Sequence, residues 1–196
     1  MSIKLIVGLG NPGKEYENTR HNAGALFVSY LCSEYQGTLR PEKKFHGLYG
    51  KIIVNSRDIH LLIPTTFMNR SGLSIQAFAN YFNLDVTEIL VAHDELDIPC
   101  GAIKLKSGGG HGGHNGLKDI IKALAGQKEF YRLRVGIDHP GSKEKVTGYV
   151  LGKIGQSESA LLDDAFDQAK RALHHLAAGE LPIAMNKINS YRPSPR

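Results

Sequence analysis

The sequence of 196 residues has no tryptophan, only two cysteines, and no apolar run of the roughly 20 residues that a membrane-spanning helix needs. We therefore expect no transmembrane segment. The first residues offer one lysine and a short apolar stretch, residues 3–7, which is too little for a secretory signal peptide. Cys32 and Cys100 are far apart and neither lies in a metal-ligand spacing. We expect two free thiols, a reducing compartment and a cytoplasmic location.

Acidic residues are fewer than basic ones. The chain has 19 Asp and Glu and 24 Lys and Arg, which gives a net charge of +5. The basic residues that flank a glycine-rich segment, residues 107–116, are Lys104, Lys106, Lys118, Lys122, Lys128, Arg132, Arg134, Lys143 and Lys145. Positive charge concentrated beside a candidate site predicts an anionic partner such as a nucleic acid. With 41% apolar and 22% charged residues, the chain has the composition and length of one globular domain.

Hydrophobic spacing predicts alternating strands and helices, interrupted by one hairpin. The predicted strands are residues 3–7, 45–54, 59–64, 89–92, 102–106 and 131–137, and the predicted helices are residues 22–34, 71–82, 117–125, 143–151 and 158–178, with a last one from Pro182. Ser157 is expected to cap the longest helix and Gly179 to end it, while residues 14–20 and 37–44 are expected to be loops. The pattern predicts an α/β class. One domain over residues 1–196 would hold a mixed, mainly parallel twisted sheet with helices on both faces.

Polar residues follow two of the predicted strands. The first strand runs into a glycine cluster that carries Asn11, and the strand at residues 89–92 ends at His93 and Asp94. Ligands bind at the carboxyl ends of strands in open α/β sheets, so these residues are expected to converge. His21, just before the first helix, would join them.

His21 and Asp94 form the candidate catalytic pair. A histidine serves as a general base when a carboxylate holds its ring and stabilises the imidazolium that forms. No serine or cysteine lies in a nucleophile elbow such as G-x-S-x-G, so the pair would activate water directly. The alternatives are a solvated histidine at a helix start and a carboxylate that caps a turn.

Two asparagines, Asn69 and Asn115, add neutral hydrogen-bond donors of the kind that suits a developing oxyanion or the amide groups of a substrate. Helix N-caps are the alternative for both. His111 and His114 lack a third ligand at a suitable spacing, so we expect no metal. The surrounding glycines predict a flexible cover over a ligand.

Residues 8–13, GLGNPG, match the dinucleotide-binding pattern G-x-G-x-x-G, which alone is weak. The pattern requires its third glycine to open a helix that holds a pyrophosphate, and here residues 14–20 intervene as a polar segment. A nicotinamide-dependent oxidoreductase is therefore a minor alternative.

With these residues taken together, the sequence closely resembles the bacterial peptidyl-tRNA hydrolases. The resemblance rests on GLGNPGKEYENTRHNAG (residues 8–24), PTTFMNRSG (64–72), HDELDIPCGAIKLKSGGGHGGHNGLKDI (93–120), YRLRVGIDHPG (131–141) and VTGYVLGK (146–153). The blocks are long, occur in order and cover nearly the whole chain. At Asp138 the sequence departs from the family, which usually has glycine there, and places an acidic group beside His139 near the expected tRNA path.

The resemblance implies an enzyme that cleaves the ester between a peptide and the terminal ribose of tRNA. It implies that His21 is the catalytic base, Asp94 its supporting carboxylate, and Asn11 the residue that discriminates N-blocked from free aminoacyl-tRNA. The residues implied to contact the peptidyl end of the tRNA are Tyr16, Phe67, Met68, Asn69, His114 and Asn115, and those implied to contact tRNA phosphates are Lys104, Lys106 and Arg134.

The expected partner is peptidyl-tRNA, with no cofactor, no membrane and no obligate protein partner, and a monomer is the simplest expectation. Relatives of this family include organellar splicing factors, so an RNA-binding adaptor on the same scaffold is the second hypothesis. The presence of His21, Asp94 and Asn115 favours the enzyme.

Overall fold

The computed structural model describes residues 1–195 of the chain. Its strands are β1 (Leu5–Gly8), β2 (Arg40–Glu42), β3 (Gly47–Val54), β4 (Arg57–Pro64), β5 (Ile89–Glu95), β6 (Ile103–Ser107) and β7 (Tyr131–Gly136). Its α-helices are α1 (Ala23–Glu34), α2 (Ser71–Phe82), α3 (Asn115–Ala123), α4 (Val146–Val150), α5 (Gln156–Arg171), α6 (Leu173–Ala178) and α7 (Leu181–Ser190). Short 3-10 helices, such as Arg20–Asn22, join several of these elements.

The strands form one seven-stranded sheet in the order β2-β3-β4-β1-β5-β7-β6. The central strands β4, β1, β5 and β7 run parallel, whereas the pairs β2–β3, β3–β4 and β6–β7 are antiparallel. The predicted single α/β domain with a mixed sheet is confirmed. The expected parallel majority is also confirmed, because five of the seven strands in residues 1–195 run in one direction and only β3 and β6 run against them.

Helices cover both faces of this sheet. On one face α1, α5, α6 and α7 pack on a core that includes Phe27, Leu133 and Phe166. On the other face α2 and α3 pack on a core that includes Phe78 and Leu117. Every residue of β1 is buried, as expected for a strand covered on both sides. Among residues 1–195, no helix is both long and apolar enough to cross a membrane.

The sheet extends further at two places than the sequence predicted. Residues 40–42, expected to lie in a loop, form the edge strand β2. This strand is too short to show an alternating pattern. It tolerates Pro41 because it lies at the edge of the sheet. Strand β5 continues through His93 and Asp94 to Glu95, so both residues are part of the strand rather than of a following loop.

The expected helix over residues 158–178 is two helices that meet at Ala172. The apolar spacing continues across the junction, so periodicity alone does not reveal it. Gly155, not Ser157, is the N-cap of α5. Gly179 ends α6 in the left-handed conformation, with φ of 80°, as predicted.

Asp138 adopts a left-handed backbone conformation with φ of 68°, which explains why glycine suits this position. Its side chain compensates locally, because Oδ1 accepts a hydrogen bond of 3.1 Å from the backbone N–H of Cys100. Aspartate tolerates this conformation better than most residues. The departure from the family pattern is therefore accommodated within the turn.

Candidate active site

A cleft of about 1000 Å³ opens at the carboxyl ends of the central strands. It is lined by ten of the predicted site residues, namely Asn11, His21, Phe67, Met68, Asn69, Asp94, Lys106, His114, Asn115 and Arg134. Tyr16 and Lys104 are not among the residues that line it. Segments remote in the sequence thus meet at one edge of the sheet, as the strand-end argument predicted.

Asp94 is the centre of the cleft, and its side chain is only 3% exposed. Its two carboxylate oxygens lie 3.0 and 2.9 Å from Nδ1 of His21. One of them also lies 2.8 Å from Nε2 of His114. A buried carboxylate is costly unless hydrogen bonds satisfy it, and two imidazoles supply those bonds here.

The hydrogen bonds define which nitrogens carry protons. Nδ1 of His114 accepts from the backbone N–H groups of Gly116 and Leu117, so its Nε2 must be the nitrogen that donates to Asp94. The carboxylate faces Nδ1 of His21 and fixes the proton there. In neutral His21, Nε2 is then an unprotonated acceptor, which is the form that a general base requires.

Electrostatics support this pairing. Burial raises the pKa of the Asp94 carboxyl, but the charges and hydrogen bonds of His114 and His21 outweigh it and hold that pKa well below its usual range. Burial lowers the pKa of His21, whereas the charge and hydrogen bond of Asp94 raise it, and the net result lies above the ordinary histidine value. Asp94 is therefore ionised at neutral pH, and it favours the imidazolium form of His21.

His93, the residue before Asp94, packs against the site. Its Nδ1 bonds the backbone carbonyl of Asp94 at 2.9 Å, and its ring packs edge-on against His114 with centroids 5.2 Å apart. Burial and then the neighbouring His114 lower the pKa of His93 to about 4, so the ring is neutral. It contributes shape rather than charge.

Two glycines allow His21 to reach Asp94. A methyl group on Gly24 would overlap the carbonyl oxygen of Ala92, and one on Gly8 would overlap the backbone of Gly24. The absence of side chains lets α1 start directly against β1 and β5. Since His21 lies two residues before the first residue of α1, this close approach places its ring beside Asp94 at the end of β5.

Arg20 fixes the same segment from the other side. Its Nε and one terminal nitrogen bond the two carboxylate oxygens of Glu158, each at 2.9 Å. Its guanidinium also lies over the ring of Tyr149 at 4.2 Å. A two-point Arg–carboxylate pair constrains orientation as well as distance, so it positions the neighbouring His21.

Asn11 is held at three points. Asn22 accepts from its backbone N–H at 2.9 Å and donates to its carbonyl oxygen at 3.0 Å, while the Asn11 side-chain oxygen accepts from the N–H of Met68 at 2.7 Å. Asn11 lines the cleft, and its side-chain amide nitrogen has no hydrogen-bond partner among residues 1–195. Asn11 therefore presents a donor to a ligand.

The other predicted contact residues lie at the rim. Phe67 is 59% exposed, so its ring is available for stacking. Asn69 lies in a 3-10 helix, and Asn115 is the first residue of α3 while His114 is its N-cap. The alternative interpretation of the asparagines as N-caps is therefore wrong. Both are exposed at the cleft.

The predicted phosphate contacts divide into two kinds. Lys106 is exposed at the cleft, and Arg134 lines it with Nε bonded to Glu95 at 2.9 Å. Lys104 instead donates to the backbone carbonyl of Asn189 in α7 at 2.7 Å. Its contact with phosphate, like that of Tyr16 with the peptidyl end, stays a prediction that the geometry of the cleft does not by itself support.

His21, Asp94 and His114 each offer one potential metal ligand, and these atoms lie within 4.8 Å of one another. The sequence analysis missed this trio because its members are remote along the chain. The two imidazole nitrogens that face Asp94 carry the protons they donate, so they would have to give up these bonds to bind an ion. Hydrogen bonding accounts for the cluster, and the expectation of no metal stays a prediction.

Sequence reasoning missed three positioning roles. His114 is the second partner of Asp94, Asn22 holds Asn11, and Arg20 pairs with Glu158. Each of these contacts joins segments that are remote in the sequence. The one available signal was proximity to motif residues, since Arg20 and Asn22 flank His21.

Comparison with known proteins adds independent information. A family model described as Peptidyl-tRNA hydrolase matches residues 5–195. The chain is 58% identical over 193 residues to a peptidyl-tRNA hydrolase of Marinobacter nauticus, with 98% of each chain covered. It is 56% identical over 192 residues to one of Colwellia psychrerythraea, covering 98% of this chain and 99% of the relative. A crystal structure of the Acinetobacter baumannii peptidyl-tRNA hydrolase superposes with a TM-score of 0.94 at 52% identity, covering 98% of this chain and 97% of the other.

Replacing Asp94 with asparagine is expected to lower the pKa of His21 from above to below its ordinary value. The variant removes the charge that raises the pKa and leaves the burial that lowers it. NMR titration of the imidazole resonances measures this directly. His60, whose pKa is lowered mainly by burial on another part of the sheet, is the internal control and should titrate alike in both proteins. An unchanged His21 titration would show that Asp94 does not control its proton.

Proposed function

This chain belongs to the peptidyl-tRNA hydrolase family and is an ester hydrolase, and from that premise we propose that it releases tRNA from peptidyl-tRNA by water that His21 and Asp94 activate, without a covalent intermediate. The observation that carries the proposal is the orientation of His21, with Nδ1 bonded to buried Asp94 and Nε2 left as the acceptor. No serine or cysteine occurs among the described residues that line the cleft, which supports direct attack by water.

The proposed reaction uses one base and neutral donors. Nε2 of His21 takes a proton from water as the water oxygen attacks the ester carbonyl carbon. The amide groups of Asn69 and Asn115 are suited to donate to the oxyanion that forms. As the bond to the ribose oxygen breaks, the proton passes from Nε2 to that oxygen and frees the tRNA hydroxyl. The peptide is formed as a carboxylic acid, which releases the second proton of the water to solvent and becomes the carboxylate.

Asn11 is proposed to discriminate N-blocked from free aminoacyl-tRNA through the one donor it presents. Its oxygen is engaged by Met68, so a ligand meets only the N–H groups of the side chain. These can pair with the carbonyl oxygen of a peptide bond. A free α-ammonium offers only donors and a charge, and burying it without an acceptor is expensive.

Lys106 and Arg134 are proposed to contact tRNA phosphates, because both line the cleft that would hold the acceptor end. Glu95 occupies Nε of Arg134 and leaves the two terminal nitrogens as the fork that suits phosphate. Phe67, and Tyr16 beyond the cleft, offer aromatic faces for the terminal base or ribose. We further propose a cytoplasmic monomer that acts without a cofactor or an obligate protein partner.

His21→Ala is expected to reduce kcat for peptidyl-tRNA by roughly 10²- to 10⁴-fold, since it removes the base. Binding of the tRNA should change little, because the imidazole makes no phosphate contact in this proposal. Single-turnover kinetics and binding titration separate the two quantities. His174→Ala, in α6 and not among the residues that line the cleft, is the matched control. Full turnover by the His21 variant would contradict the assignment of His21 as the base. If the unchanged chain showed no turnover, the RNA-binding adaptor would be the better hypothesis.

Asn11→Asp is expected to weaken discrimination about tenfold or more in the ratio of kcat/KM for N-acetyl-aminoacyl-tRNA to that for aminoacyl-tRNA. The substitution keeps an oxygen for the N–H of Met68 and replaces the donor with a carboxylate that attracts an ammonium. Parallel hydrolysis assays on the two substrates measure the ratio. If it stays at the original value, Asn11 does not carry the discrimination.

Lys106→Ala is expected to reduce the salt dependence of tRNA binding by about one unit of the log–log slope, the amount typical of one phosphate contact. Lys104→Ala is the matched comparison and should change the slope less, because Nζ of Lys104 is committed to Asn189. Equal effects of the two variants would mean that Lys104 exchanges its internal bond for a phosphate, and no effect of either would remove both from the binding surface.

A further inference from the structure

Arg132 is a buried cation that neither the reaction nor the phosphate contacts require. It lies in β7 and is only 3% exposed. Among residues 1–195 no carboxylate forms an ion pair with it. Removing a charge from water is costly unless good partners replace the solvent, so the burial of Arg132 needs an explanation.

The partners of Arg132 are backbone carbonyls, and two of them belong to the glycine-rich segment. One terminal nitrogen donates to Gly110 and the other to Gly109 and, at 3.2 Å, to Lys128. The guanidinium also lies 4.4 Å from the ring centre of Phe130. The side chain therefore joins β7 to residues 109–110, which the sequence separates from it by more than 20 positions.

Besides Arg132, a backbone hydrogen bond of 3.1 Å from the N–H of Gly108 to the carbonyl of Phe130 ties the start of the segment to the chain before β7. A methyl group placed on Gly110, Gly112 or Gly113 would meet no atom within 4 Å, so the segment is not packed against the core there. It continues directly into His114 and Asn115, the partner of Asp94 and a proposed oxyanion donor. Its position therefore determines where these two groups stand.

Stability alone explains this arrangement poorly. Nε of Arg132 is buried without a partner in the part of the chain that the structure describes. An unsatisfied buried donor is destabilising, and an apolar side chain of similar length would avoid both that cost and the buried charge. What an apolar side chain lacks is the fork of donors that binds two successive carbonyls.

We propose that Arg132 is a positioning residue for the hydrolysis, which holds Gly109 and Gly110 against β7 and thereby sets the wall of the cleft that leads to His114 and Asn115. The kinetic consequence rests on the proposed function. The structural consequence, local protection of residues 107–114, does not.

The test compares Arg132→Met and Arg132→Lys with the unchanged chain, and Arg171→Met serves as control because the Arg171 side chain is 69% exposed on α5. Amide hydrogen exchange is measured across residues 107–114 and across β5 in each folded protein. Arg132→Met should accelerate exchange in residues 107–114 about tenfold or more, with a smaller change in β5, because local opening loses its main restraint. Arg132→Lys, with its charge on a single nitrogen, should give an intermediate acceleration, and Arg171→Met none.

The same variants are assayed on peptidyl-tRNA. Arg132→Met should lower kcat roughly 10- to 100-fold through displacement of His114 and Asn115, with KM changed less than about threefold, because Lys106 and Arg134 are untouched. Arg132→Lys should recover part of the loss. A purely structural role would instead reduce the melting temperature and speed exchange equally in β5 and in residues 107–114.

The proposal is overturned if the folded variants protect residues 107–114 as the unchanged chain does, or if exchange rises uniformly over the sheet. Should Arg132→Met fail to fold, Arg132→Lys decides between the same two outcomes. Failure of the unchanged chain to hydrolyse peptidyl-tRNA would count against the proposed function, whereas the exchange measurements would still decide whether Arg132 holds the segment.

Discussion

The site depends on one buried carboxylate that two imidazoles share. Asp94 would be costly to keep ionised away from water, and its hydrogen bonds with His21 and His114 are what make the ionised form stable. Those bonds come from segments before α1 and before α3, which lie on opposite faces of the sheet. The two hydrogen bonds to Asp94 thus bring the N-termini of α1 and α3 to the same strand end. Its burial also makes its effect on His21 strong, because little solvent screens the pair.

At two other places, a side-chain amide holds a backbone segment by bonding both its N–H and its carbonyl group, as a neighbouring strand would. The amide of Asn22 binds the N–H and the carbonyl of Asn11 as a neighbouring strand would. The amide of Asn189 does the same for Leu105 on the edge strand β6. These contacts satisfy polar groups where the sheet has no further strand, and in the case of Asn11 they leave a single donor for the ligand. In the proposed function, the specificity of the cleft therefore depends on which hydrogen-bonding group each asparagine leaves free for the substrate.

The sequence was sufficient to predict the α/β class, the strand ends as the location of the site, and the convergence of His21 with Asp94, because these follow from local patterns and from a general property of open sheets. It could not reveal the second role of His114, whose spacing to Asp94 carries no signal, nor the helix break at Ala172, across which the apolar period continues. The edge strand β2 was missed because three residues are too few to show alternation. What local patterns cannot supply is contact between remote segments, and the positioning residues of this site depend on such contacts.

The positive charge of the chain illustrates the same limit. The net charge of +5 and the cluster of basic residues predict an anionic partner, since long-range attraction depends on the sum of charges. The sum does not show which charges can touch a phosphate. Lys104 and Arg132 spend their donors on backbone carbonyls inside the fold, whereas Lys106 and Arg134 keep donors at the cleft. Basic residues on the same two strands therefore divide into a pair bonded to backbone carbonyls within the fold and a pair that lines the cleft and is proposed to bind phosphate. Only burial and hydrogen bonding distinguish the two pairs.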